Sequence, residues 1–293
     1  MQNLPASQTL ARDGSDYPND PAACKMAACH PETITMSQHL LIIDPQNDFC
    51  DLPTAALPVT GACRDMARLA KLIEQHGPAL DAITVTLDSH HRYDIAHPAF
   101  WRGPAGEQPL LCPITLADVD AGRWLPADPA LLPAVRHYLQ HCALFVWPPH
   151  CLTGSWGHNI HDGLNQALQQ WECQRLRTVQ YLFKGLNPLT EHFSAFEADL
   201  PLADDPATRF QPQQVAALVA AQRVIVAGEA LSHCVASSVR SLLRHLGTDF
   251  ARKLVLLSDC SSPVPGFEAQ AADFVAEIRQ FGAQISPSTA LFA

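Results

Sequence analysis

Short, mainly apolar runs alternate along this chain with stretches in which apolar residues recur every three or four positions. The runs fall at 39–44, 82–87, 178–183, 224–227 and 253–257. The first, Leu40-Leu-Ile-Ile43, is an uninterrupted run such as parallel strands buried on both faces show. Between them, Met66, Leu69, Leu72 and Ile73 make one stripe that predicts a helix over 62–76. A second stripe, Val235, Val239, Leu242, Leu243 and Leu246, predicts a helix opening at Ser232 or His233, and a third helix is expected through 165–171. Strands alternating with helices give the α/β class, with a mostly parallel central sheet wrapped by helices.

Two stretches break the rhythm. Residues 1–36 carry Pro5, Pro18, Pro21 and Pro31 among polar residues with no sustained period, and are expected to be a poorly ordered N-terminal extension. Residues 98–146 are rich in Pro, Gly and scattered aromatics, which predicts an insertion across one end of the sheet. The expectation is one domain over 37–293 that carries this insertion.

At 47% hydrophobic, the 293 residues can bury a large core. The formal charge of −10 offers no basic footprint for nucleic acid, and no apolar run is long enough to span a bilayer. The first residues lack a charged start followed by an apolar stretch, so a cytoplasmic protein acting on a small molecule is expected. Ten cysteines are scattered without a CxxC pair or a dense framework, which reads as reduced thiols.

Chemistry concentrates where strands end. Ligands of parallel sheets bind beyond the carboxyl ends of the strands, and Asp44, Asp88, Lys184 and Cys234 each follow such an end closely. Cys234 is expected near the first turn of its helix, where free N–H groups and the macrodipole ease ionisation of a thiol. An acid/base group, a cation and a thiol brought to one cleft can open an amide. Asp44 takes the thiol proton, Lys184 stabilises the charges beside it, and the thiolate attacks the carbonyl to give a thioester and an amine.

These residues stand in segments that resemble the isochorismatase-like cysteine hydrolases. The segments are Leu40-Leu-Ile-Ile-Asp-Pro-Gln-Asn-Asp-Phe49, Lys184-Gly185 ahead of Ser194-Ala-Phe196, and Gly228-Glu-Ala-Leu-Ser-His-Cys-Val235. The resemblance runs from about Gln38 to the C-terminus and implies a three-layer α/β/α fold with Asp44, Lys184 and Cys234 as catalytic residues. True isochorismatases lack the cysteine, so Cys234 implies an amide-hydrolysing branch.

A second cluster narrows the branch. Asp88-Ser-His90 places two ligand-type side chains at alternate positions of an extended segment, and His97 and Trp147-Pro-Pro-His150 follow. One carboxylate and two or three imidazoles suit a single divalent transition metal, with zinc, iron and manganese all admissible and no organic cofactor expected. The arrangement is similar to the metal site of nicotinamidases, which carries Asp88, His90 and His150 over as ligands. His97 is a fourth candidate, with His91 competing for its place. The same resemblance makes Phe49 and Trp147 the walls around a pyridine ring. It makes the backbone N–H groups of Ala230 and Cys234 the oxyanion donors, with a cis Glu229–Ala230 bond.

Glu229 stands where the family usually has an apolar residue, Pro45 where valine is common, and the 98–146 stretch is longer than in compact nicotinamidases. The resemblance implies a nicotinamidase, converting nicotinamide and water to nicotinate and ammonia. A carbon–nitrogen hydrolase acting on a carbamoyl or ureido compound is the alternative, and a non-catalytic metal-binding homologue is a third reading. The insertion could form a lid or the interface of a homo-oligomer.

Overall fold

A computed structural model describes residues 36–292. The expected N-terminal extension therefore lies, except for Met36, outside the described residues. The strands are β1 (Gln38–Ile43), β2 (Ala82–Asp88), β3 (Trp101–Arg102), β4 (Cys112–Ile114), β5 (Leu125–Pro126), β6 (Leu144–Val146), β7 (Gln180–Lys184), β8 (Arg223–Gly228), β9 (Leu254–Leu257) and β10 (Gln284–Ser286). The helices are α1 (Ala62–His76), α2 (Leu116–Asp120), α3 (Leu132–His141), α4 (Asp162–Arg175), α5 (Pro212–Ala220), α6 (Ala236–Leu246) and α7 (Glu268–Gln280).

Six strands form one sheet in the order β10-β9-β8-β1-β2-β7, and every pairing is parallel. The chain starts in the middle, builds outward through β2 to β7, then returns to the other side of β1 and builds outward again. Right-handed crossovers place the helices of the two halves on opposite faces, which gives three α/β/α layers. Directly at β1, where the building direction reverses, a crevice opens between the loops that leave β1 and β8. Asp44 leaves the first of these strands and Cys234 follows the second.

The runs of β1 and β8 fill the sheet as their pattern predicts, whereas β7, at the edge, leaves Tyr181 and Phe183 exposed. Leu40 to Ile43 and Val224 to Ala227 are almost wholly buried. The stripe of α1 buries Met66, Leu69, Leu72 and Ile73, and α1 packs against α4. At the N-terminus of α1 the free N–H groups are taken by a side chain from the preceding loop: Asp51 accepts from Gly61 N at 3.1 Å and from Cys63 N at 2.7 Å. Those N–H bonds, that of Cys63 foremost, draw the Asp51 carboxyl down to about 2.

Residues 98–146 fold into two short antiparallel ribbons, β3 with β5 and β4 with β6, together with α2 and α3. This part has its own apolar cluster, built around Phe100, Trp101, Val135, Tyr138 and Val146. Its two ends are tied together, because Trp147 N donates to Ala96 O at 2.8 Å. A residue at each end, His97 and Trp147, is thereby brought to the carboxyl edge of the main sheet. No described helix is long and apolar enough to cross a membrane, and the described cysteines are free thiols.

Candidate active site

The crevice is built from the ends of β1, β2, β7 and β8. Two of its residues lie in the left-handed region that L side chains rarely adopt, Asp44 at φ 45° and Ala230 at φ 59°, a conformation that costs on the order of 1–3 kcal/mol and clusters at functional sites. Gly228, at φ 112°, allows the two strands to meet here, since a Cβ on it would lie 2.0 Å from the carbonyl oxygen of Ile43. The turn at Gly228 and Ala230 is made with trans bonds throughout. The described residues contain no cis peptide, so the expected cis Glu229–Ala230 bond is absent, and the positive φ of Gly228 and of Ala230 makes the bend instead.

Lys184 stands at the centre, its side chain only 2% exposed. Its Nζ lies 3.1 Å from Asp44 Oδ2, 2.8 Å from Asp88 Oδ1 and 3.6 Å from Cys234 Sγ, and donates to the carbonyl of His192 at 2.8 Å. Burial alone would strip the Lys184 proton, but the carboxylates of Asp44 and Asp88 outweigh it and hold the ammonium firmly. Asp44 Oδ1 also accepts from Thr86 Oγ1 at 2.5 Å. Burial raises the Asp44 carboxyl, with Lys184 opposing and Asp88 adding to the rise. In Asp88 burial is outweighed by His90 and Lys184, and this carboxyl falls well below its usual range.

Cys234 lies in a turn of π-helix, Leu231–Val235, that runs into α6. Single π turns of this kind recur at functional sites. Here Ala230 O accepts from both His233 N (2.8 Å) and Val235 N (3.3 Å), and among the described residues no main-chain acceptor takes the N–H of Ala230. The expected easy ionisation is overturned. Burial pushes the thiol well above its ordinary value, and although Lys184 opposes this, Asp44 and Asp88 reinforce it. Close carboxylates and the loss of solvent outweigh the helix terminus, so the resting thiol keeps its proton.

Next to this group stands a cluster of imidazoles. One ring nitrogen from each of His90, His97 and His150 lies within 4.8 Å of the others. Asp88 Oδ2 is 3.1 Å from His90 Nε2 and 3.5 Å from His150 Nε2. His91 is exposed, and it is its carbonyl that meets the cluster, hydrogen-bonded to His97 Nδ1 at 3.0 Å. The donor set of three nitrogens and a carboxylate fits a divalent transition metal. Burial, then His150 and His90, hold His97 neutral, with its pKa lowered to about 2. Despite burial, Asp88 and Asp94 hold a proton on His90; a cation binding there takes the place of that proton.

Above the thiol is a small, mainly apolar pocket. Phe49, Trp147, Phe193 and His233 line it, with Asp88, His150 and Cys234 also on its surface. Phe49 meets His150 edge-on with centroids 5.5 Å apart, and Trp147 meets His233 likewise at 5.6 Å. The crevice thus assembles Asp44, Lys184, Cys234, Ala230, Asp88, His90, His97, His150, Phe49 and Trp147 from five separate stretches of chain.

Sequence reasoning missed several of their neighbours. Asp94 Oδ2 lies 3.0 Å from His90 Nδ1 and fixes the ring in the way outer carboxylates orient metal-ligating histidines; its place four residues beyond His90 was the available signal. Glu191 and Phe193 reach the cavity from a loop with no periodicity, and His233 was read only as a helix start.

No family model and no curated protein matches the chain. Solved structures do. Yeast nicotinamidase bound to the inhibitor nicotinaldehyde superposes with a TM-score of 0.60 at 17% identity, over 85% of this chain and 99% of that one. An Acinetobacter baumanii nicotinamidase/pyrazinamidase gives 0.59 at 18%, over 87% and 98%. An isochorismatase family protein from Desulfovibrio vulgaris gives 0.50 at 19%, over 88% and 97%. The fold is that of the isochorismatase-like hydrolases. On an isochorismatase-like scaffold the unusual residue is Glu229, wholly buried next to Ala230, its carboxyl near the backbone N–H groups of Ser262 and Ala230 but in regular hydrogen-bond geometry with neither. Burial, then the Asp65 carboxylate, raises it well above the usual carboxyl range, and a carboxyl so held is uncharged, which lets it occupy an apolar position.

Glu229 gives a pH-dependent expectation. In the unfolded chain it titrates near ~4.3, so above that pH folding forces a proton onto it, and the cost grows until the folded pKa is reached. Glu229→Leu is expected to stabilise the protein at pH 7.5 by more than about 1 kcal/mol, the gain shrinking towards zero near pH 4. Urea unfolding at the two pH values measures it, and no gain at pH 7.5 would mean that the carboxyl has a partner.

Proposed function

We propose that the protein is a metal-assisted cysteine amidohydrolase whose substrate is nicotinamide, released as nicotinate and ammonia. The observation that carries this reading is the position of Lys184, one buried ammonium in contact with the thiol of Cys234, with Asp44 and with Asp88. A nucleophile, its base and the carboxylate of a metal-ligand set are thereby held in one rigid group. The aromatic side chains that line the pocket support a flat substrate. Further support comes from the similar structures, since the yeast enzyme binds nicotinaldehyde and the L. infantum protein, with a TM-score of 0.55 at 21% identity over 87% of this chain and 95% of its own, is in complex with nicotinate.

The chemistry follows from the protonation states. The neutral thiol of Cys234 gives its proton to Asp44 as sulfur attacks the carboxamide carbon, and the raised pKa of Asp44 matches a group that must first accept and then return a proton. The N–H groups of Ala230 and Cys234 receive the oxyanion. Collapse breaks the C–N bond, Asp44 returns its proton to the leaving nitrogen, and ammonia departs, leaving a thioester. Asp44 then takes a proton from water, whose oxygen attacks the thioester carbon; sulfur leaves as a thiolate, Lys184 stabilises it, and the proton on Asp44 returns to it. A divalent cation held by Asp88, His90, His97 and His150 supplies a Lewis-acid anchor for the ring nitrogen. Phe49 and Trp147 hold the ring between them so that its carboxamide lies over Sγ.

Purified protein is expected to release ammonia from nicotinamide, to lose at least about 10-fold of that rate on chelation, and to regain it with zinc, iron or manganese. Protein that binds metal but leaves nicotinamide intact while hydrolysing a carbamoyl or ureido compound would overturn the substrate assignment in favour of that class.

A further inference from the structure

The turn that follows Asp44 contains a wholly buried amide, Gln46, with no part in the chemistry above. Strand β1 pairs with β2 up to Ile42 opposite Val85, and the last rung is Asp44 N to Thr86 O at 3.2 Å. At Asp44 the backbone turns away at positive φ. The next groups of β2 that point towards β1 are the N–H and C=O of Asp88; on its other side β2 is paired with β7, and Ser89 N donates to Lys184 O at 2.9 Å.

The Gln46 side chain fills the vacated position. Its Oε1 accepts from Asp88 N at 2.7 Å and its Nε2 donates to Asp88 O at 2.8 Å. A primary amide has the donor and acceptor of a peptide group, so Gln46 acts as one more residue of the missing strand. The second Nε2 proton goes to His158 O at 3.0 Å, which ties the same amide to a third segment. The arrangement is fully buried, where each unmade bond costs about 1–3 kcal/mol.

We propose that Gln46 is a positioning residue for the metal half of the site: its side-chain amide continues the sheet by one rung and so fixes the backbone of Asp88, whose carboxylate faces His90, His150 and Lys184. The inference rests on the metal-assisted reading given above. The Gln46 side chain hydrogen-bonds to Asp88 and His158 and to neither Cys234 nor Asp44.

The test is zinc affinity by competition with a chromogenic chelator, using the full chain. Gln46→Ala is expected to weaken zinc binding 10- to 100-fold, the range for loss of an outer partner of a metal ligand. Gln46→Glu keeps the side-chain length and the acceptor but loses both donors, and is expected to weaken it at least 10-fold; it serves as the readout if Gln46→Ala fails to fold. Asn47→Ala removes a comparable bond in the same turn, Nδ2 to Trp156 O at 2.9 Å, and is expected to leave zinc affinity unchanged. Folded Gln46 variants that bind zinc like wild type would overturn the inference, as would an equal loss in Asn47→Ala. A wild-type protein that binds no zinc, iron or manganese would defeat the metal reading itself, a separable outcome.

Discussion

Cys234→Ala is expected to reduce ammonia release from nicotinamide by at least about 10⁴-fold, to the residual level that binding and oxyanion donors supply once a nucleophile is gone. Sulfur forms the only covalent bond to the substrate in the proposed sequence, so no other described group can replace it without a change of mechanism. The variant is expected to fold and to bind zinc like wild type. The substitution removes one buried sulfur atom and leaves Lys184 paired with both carboxylates. Ammonia release within about tenfold of wild type would eliminate the thioester. Because burial and two carboxylates keep the resting thiol protonated, alkylation of Cys234 in free enzyme is expected to continue rising with pH beyond the range of an ordinary thiol, which titrates near ~8.5.

The apolar runs make the sheet legible in the sequence, because a strand buried on both faces is filled mainly by apolar residues, and the few polar ones, such as Thr84 and Thr86 in β2, are hydrogen-bonded. Leu40 to Ile43 and Val224 to Ala227 are almost wholly buried for that reason. Three strand ends were legible too, since Asp44, Asp88 and Lys184, the charges that end β1, β2 and β7, meet in the crevice. What escaped was local geometry. A π turn and an α-helix share nearly the same spacing of apolar positions over one turn, so the pattern at Val235 to Leu246 could not show that Leu231–Val235 is wound differently. The ionisation of Cys234 was misjudged for a related reason: the helix terminus is local and visible in sequence, whereas Asp44 and Asp88 come near only through the fold. Glu191 and Phe193 sit on a loop whose course is set by the strand it follows, and Gln46 acts through an amide that reads in sequence as an ordinary turn residue. Strand ends and the family resemblance single out the residues proposed for the site, whereas the contacts that hold them run between segments and leave no local pattern.

Lys184→Met carries the largest expected effect on stability. Met matches the length and apolar stem of Lys, so the change isolates the charge. In the wild type a single ammonium lies 3.1 Å from Asp44 and 2.8 Å from Asp88, all three buried. Its removal leaves Asp44 facing Asp88 with no counter-ion of its own, while Asp88 keeps only His90, and breaking a buried pair in this way costs about 3–5 kcal/mol. The pH dependence has a definite sign. Asp88 is now held below its usual range, so its contribution is present at neutral pH and is lost as pH falls through the folded value. In Lys184→Met that contribution shrinks and the Asp44 carboxyl rises further, a penalty that is greatest at neutral pH and disappears as pH falls to the ordinary carboxyl range. The stability gap between the two proteins is therefore expected to be several kcal/mol at pH 7.5 and clearly smaller at pH 5, read from urea unfolding at both. Zinc should narrow the gap as well, since a cation on Asp88 replaces part of the lost charge and stabilises whichever state binds it. A gap that stays the same across this range would mean that the ammonium is not what keeps both carboxylates ionised, and the proposed base would then have to be assigned to another group.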